Sequence, residues 1–108
     1  MEHRLHARES VDFRVRLVKE GHVVNAKAIN LSPDGLGIER PDEDLRNGQI
    51  VDVNFINGKP GYPQGLSHSV RSMIVHTGPN IVGLMFAYDP RVEKALAKHS
   101  DKSERLDN

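Results

Sequence analysis

From Val11 to Leu17 apolar and polar residues alternate, with Val11, Phe13, Val15 and Leu17 on one side and Asp12, Arg14 and Arg16 on the other. That period of two predicts a half-buried strand. Gly21, after Lys19 and Glu20, supplies a turn, and residues 23–31 follow as a second β-rich stretch. Its register stays open, because Val24, Ala26 and Ala28 compete with Val23 and Ile29 for the inward face. The two strands form a hairpin.

Ser32-Pro33-Asp34-Gly35 is a run of turn residues, and alternation resumes with Leu36 and Ile38 in a short third strand. The polar connection from Arg40 to Gln49 is broken by Pro41 and Asn47-Gly48. Val51, Val53 and Phe55 share one face of a fourth strand, residues 70–76 make a fifth, and Val82, Leu84 and Phe86 alternate on a sixth after the turn Thr77-Gly78-Pro79-Asn80. Residues 57–69 hold three of the nine glycines and two of the six prolines, which predicts a loop or an irregular hairpin tip. Tyr62 within it is a candidate partner surface.

Asp89 before Pro90 is a helix cap with proline at the first helical position, and Val92, Ala95, Leu96 and His99 then share one helical face. Six short strands in so small a chain would expose two edges and an apolar face if laid flat. The expectation is therefore an all-β fold, a small six-stranded antiparallel β-barrel with one C-terminal α-helix. Residues 1–10 are expected to be a flexible arginine-bearing segment, 11–99 the barrel and helix, and 100–108 a disordered polar tail.

Composition narrows the chemistry. The chain has 108 residues, suited to one domain, and fifteen Lys and Arg balance fifteen Asp and Glu, so any anion recognition must be local. Cysteine is absent, which removes disulfides, thiolate nucleophiles and sulfur-ligated zinc. No apolar run is long enough to span a bilayer and no apolar signal core opens the chain, so it is expected to be cytoplasmic, without membrane insertion. No serine sits in a nucleophile elbow, and no phosphate loop or dinucleotide fingerprint occurs, so no enzymatic activity is expected. His3, His6, His22, His68, His76 and His99 fit no ligand spacing and are read as solvated, with no metal and no cofactor.

Two groups remain. Arg4-Leu5-His6-Ala7-Arg8 places two arginines four residues apart ahead of the first strand, and Asn30-Leu31-Ser32-Pro33-Asp34-Gly35 ends the second strand in a turn. Either alone is ordinary punctuation or charge spacing. In this order within a six-stranded β pattern, they resemble the PilZ domain, the bacterial receptor module for cyclic di-GMP, whose signature is Arg-x-x-x-Arg followed by Asp/Asn-x-Ser-x-x-Gly. Arg4 and Arg8 match the first element, and Asn30, Ser32 and Gly35 the second. The stretches 50–55 and 81–86 are similar to later strands of that family, so the resemblance covers nearly the whole chain.

The resemblance implies a ligand with two phosphates, two guanine edges and broad aromatic faces. Arginine suits all three, pairing bidentately with phosphate or guanine O6 and N7 and stacking on a purine. Charge-assisted bonds of this kind contribute about 1.5 to 3 kcal/mol each. Asn30 and Ser32, two apart at a strand end, put their side chains on one side, where amide and hydroxyl can meet a guanine edge or a phosphate oxygen. Gly35 permits the turn and close approach of a flat base, and Gly37 extends the open surface. His3 stands where family members often carry another arginine, which bears on whether one cyclic dinucleotide or a stacked pair is held.

The function so implied is binding of cyclic di-GMP and its relay, by a conformational change, to an unidentified downstream protein. A rival of another class is a nucleotide-independent PilZ-like adaptor in pilus or motility assembly, a kind that usually lacks the arginine pair. A barrel that binds RNA or DNA is disfavoured, since the five aromatic residues form no stacking ladder.

Overall fold

A computed structural model describes residues 9–56, 69–95 and 97. It contains β1 (Glu9–Lys19), β2 (His22–Ser32), β3 (Gly35–Glu39), β4 (Ile50–Phe55), β5 (Ser69–Thr77) and β6 (Ile81–Phe86). A short helix, α1, begins at Pro90 and covers residues 90–95 and 97. The strands close a barrel in the order β1-β2-β3-β6-β5-β4, every neighbouring pair antiparallel. The expected six-stranded barrel with one C-terminal helix is the observed fold.

Closure depends on β1, which pairs with β2 along one side and with β4 along the other, matching Val15 to Phe55 and Leu17 to Val53. The hairpin between β1 and β2 turns through Glu20 (φ 48°) and Gly21 (φ 76°). Two consecutive positive φ angles between Lys19 and its partner His22 follow the twist of the flanking strands, as a two-residue hairpin loop requires.

The competition within β2 is resolved by a bulge. Val24, Ala26 and Ala28 face the core, the register slips between Ala28 and Asn30, and Leu31 then faces the core as well. A second slip, between Ser10 and Phe13 in β1, leaves Val11 only partly buried against the core that Phe13, Val15 and Leu17 enter fully.

Inside the barrel Phe13, Phe55 and Phe86 form an aromatic chain, with ring centroids 6.1 Å apart for the first pair and 6.3 Å for the second. Such pairs contribute about 0.5–1.5 kcal/mol beyond the area they bury. Fully buried Leu17, Leu31, Leu36, Ile38, Ile74 and Leu84 surround them, each side chain worth roughly 1.5–3 kcal/mol of transfer free energy. Leu45 joins this core from the connection that reads as polar in sequence.

Helix α1 starts as its sequence dictates. The Asp89 carboxylate accepts the backbone N–H of Arg91 at 2.9 Å, and the Asp89 carbonyl accepts that of Val92 at 3.1 Å. The same carboxylate bonds the Arg91 guanidinium and raises its pKa above the usual arginine value. Val92 and Ala95 enter the core. Leu96 and His99, expected on the same face, lie outside the described residues, as do residues 57–68 of the expected loop, Tyr62 among them, and the expected tail 100–108; Ser69, assigned to that loop, instead opens β5.

Candidate functional site

Alternation on β2 and β3 sends Leu31, Leu36 and Ile38 into the core and leaves Asn30, Ser32, Gly35 and Gly37 on the opposite, outer face. Strand register then brings the four together. Asn30 pairs with Gly37, and Ser32 with Gly35. Residues three to seven positions apart in sequence thus become two adjacent cross-strand pairs on one patch of the barrel wall.

Ser32 is only 2% exposed, so its hydroxyl sits recessed in the wall. It accepts the backbone N–H of Asp34 at 3.2 Å, bracing the turn between β2 and β3. A hydroxyl that accepts in this way still has its own proton to donate.

The two glycines serve different ends from those the turn chemistry suggests. Gly35 does not adopt a positive φ; among described residues only Glu20, Gly21 and Gly48 do. A Cβ at Gly35 would instead run into the carbonyl oxygen of Leu84 on β6, so glycine lets the two strands close together where the Phe86 N–H reaches the Asp34 carbonyl at 2.8 Å. At Gly37 a Cβ would lie 2.5 Å from the side-chain amide of Asn30, which already occupies that space. The irregularity near Gly37 is the β2 bulge on the facing strand.

Arg4 and Arg8 lie outside the described residues. Glu9, which follows Arg8 directly in the chain, pairs with Leu31, and Ser10 pairs with Asn30. The chain therefore enters β1 alongside the residues that carry the Asn30 and Ser32 side chains. Consecutive Cα atoms are about 3.8 Å apart, and Arg4, five residues ahead of Glu9, can stand no more than roughly 18 Å from it.

Following the register across the barrel reveals partners that alternation along one strand does not. One row reads Ser32, Gly35, Met85, Met73, Ile50; the next reads Asn30, Gly37, Gly83, His76. Met85 is 51% exposed, Met73 38% and Ile50 50%. A usable signal existed in the sequence: with Val82, Leu84 and Phe86 inward, Met85 must point outward, an apolar residue at a polar position. Neither row contains Lys or Arg, and beyond Met73 the exposed Arg71 guanidinium pairs with Asp52 at 3.2 Å.

No curated protein matches this chain. Among solved structures it is similar to an uncharacterized Legionella protein, at 10% identity and a TM-score of 0.59, with 95% of this chain and all of the other covered. At that identity the likeness speaks to the fold alone. The PilZ domain family model matches residues 2–100, a span that takes in both sequence elements and the whole described barrel. The chain belongs to the PilZ domain family.

Proposed function

We propose that this PilZ domain is a cytoplasmic receptor that binds cyclic di-GMP on the outer face of β2 and β3 and relays its presence to a partner protein. PilZ domains are in general cyclic di-GMP-binding modules and serve as binding or adaptor domains, not catalysts. The reading rests on one observation above all. The Asn30–Gly37 and Ser32–Gly35 pairs share a face, and Glu9, next to Arg8, is in register with Leu31 between them.

The chemistry is complementary. At their β2–β3 end the two rows bring together the Asn30 amide and the Ser32 hydroxyl and hold no Lys or Arg, so they suit a base edge or a sugar and leave phosphate charge to be met from elsewhere. Arg4 and Arg8 supply that charge from the stretch that leads into β1. Ligand bridging the two elements draws the arginine-bearing stretch onto the barrel wall and so alters the surface a partner meets. The energetic source of the relay is the difference in ligand contacts between the open and the bridged arrangement, and nothing beyond it.

Titration calorimetry with cyclic di-GMP, with GMP and cyclic di-AMP as controls, tests this. Binding selective for the guanine compound and lost on Arg8→Ala is the expected result. No heat up to roughly 100 μM, a free energy weaker than about −5.5 kcal/mol, would favour the nucleotide-independent adaptor instead.

A further inference from the structure

The row that begins with Ser32 and Gly35 continues into three large apolar side chains that face solvent. Met85 lies opposite Gly35, Met73 opposite Met85 and Ile50 opposite Met73, each on the next strand. Adjacent strands are about 4.8 Å apart, so Met85 and Met73 cover about 10 Å of wall starting one strand from Gly35. In the next row Gly83 contributes no side chain, and a Cβ there would first meet the Cβ of His76, 3.4 Å away. The methionines therefore stand beside a row position that carries no side chain.

We propose that the Met85–Met73 pair is the platform on which one purine ring of the bound nucleotide lies, which makes these two side chains specificity-determining contacts. The proposal rests on the receptor reading above and extends it to residues outside the sequence signature. Two features carry it. The methionines share a hydrogen-bonded register with Ser32 and Gly35, so the exposed apolar strip is continuous with the polar site. Their unbranched thioether side chains are suited to a flat aromatic face, which sulfur contacts favourably.

The arrangement divides recognition between two walls. Asn30 and Ser32 on β2 read polar edges, and the methionines on β6 and β5 read an apolar face that any base would present. The pair thereby adds affinity for a nucleobase over a bare phosphate or sugar phosphate, and leaves discrimination among bases to the polar wall.

The test pairs calorimetry with methyl NMR. Met73→Gln/Met85→Gln should weaken cyclic di-GMP binding about ten-fold, while Met85→Leu, which keeps an apolar surface and loses only the sulfur contact, should weaken it by no more than about three-fold. The salt dependence of affinity should be the same in all three proteins, because phosphate contacts are untouched. With ε-methyl-labelled methionine, the Met73 and Met85 signals should move upfield on saturation, as methyls beneath an aromatic ring do.

Wild type that binds, with the double variant unchanged in affinity and both signals stationary, overturns the platform and leaves the receptor reading standing. Wild type that does not bind removes both. A double variant that alters the sedimentation of the free protein without altering ligand affinity assigns the strip to contact between copies of the chain and equally overturns the proposal.

Discussion

The side-chain amide of Asn30 fills the space in which a Cβ of Gly37 would stand, 2.5 Å away across the β2–β3 pair. Glycine at 37 is thus the condition for the amide's position, and the two residues act as one unit. Gly37→Ala should push the amide off the wall, weakening cyclic di-GMP binding about ten-fold while costing roughly 1 kcal/mol of stability, because the tip of a short polar side chain can yield. Asn30→Ala/Gly37→Ala should recover the stability but not the binding, a non-additivity that a double-mutant cycle by chemical denaturation and calorimetry measures directly.

Gly35 meets a different obstacle. A Cβ there confronts the Leu84 carbonyl, a main-chain atom held in the barrel. Gly35→Ala should therefore destabilise the domain by about 2–4 kcal/mol, with a drop in Tm far larger than that of Gly37→Ala. Equal effects at the two positions would contradict the distinct roles assigned to them.

Glu20 holds a φ of 48° at the first position of the β1–β2 turn, a conformation that costs a side chain with a Cβ roughly 1 kcal/mol. Glu20→Asn should raise stability by about 0.5–1 kcal/mol, read as a higher denaturant midpoint at constant m, and leave ligand affinity unchanged.

Ser32→Ala should lose on two counts. The Asp34 N–H forfeits its acceptor in a tucked turn, a cost of about 1–3 kcal/mol, and the ligand forfeits a hydroxyl. Arg71→Ala is the control: its guanidinium is exposed and paired with Asp52, and removing it should change stability by less than about 1 kcal/mol and affinity by less than two-fold. A large loss of affinity at Arg71 would shift the binding surface one row beyond the methionines.

Asp89 caps α1 through the Arg91 N–H, and that helix delivers Val92 and Ala95 to the core. Asp89→Ala should cost about 1 kcal/mol, whereas Asp89→Ser should cost less, since a hydroxyl can replace the carboxylate as acceptor. Thermal unfolding distinguishes the two.

The local sequence determined the strands, the hairpin turn at Glu20-Gly21 and the Asp89 cap, because periodicity of two, positive φ and an unpaired first-turn N–H are each settled within a few residues. Asn30, Ser32 and Gly35 stood out as a group only through their resemblance to the PilZ signature, with Gly37 beside them. Tertiary structure decided the rest. That β6 lies between β3 and β5, that a bulge near Ile29 lets Val24 and Leu31 both face inward, and that Leu45 leaves a polar connection for the core all depend on contacts between distant segments. Gly35 owes its need for glycine to a strand that arrives about fifty residues later in the chain. Met85 and Met73 stand in line with Ser32 only because barrel closure sets their register. Alternation says which side of a strand a residue faces; which residues it faces across the sheet is settled by packing the core, where a slip of one position would turn every apolar side chain outward.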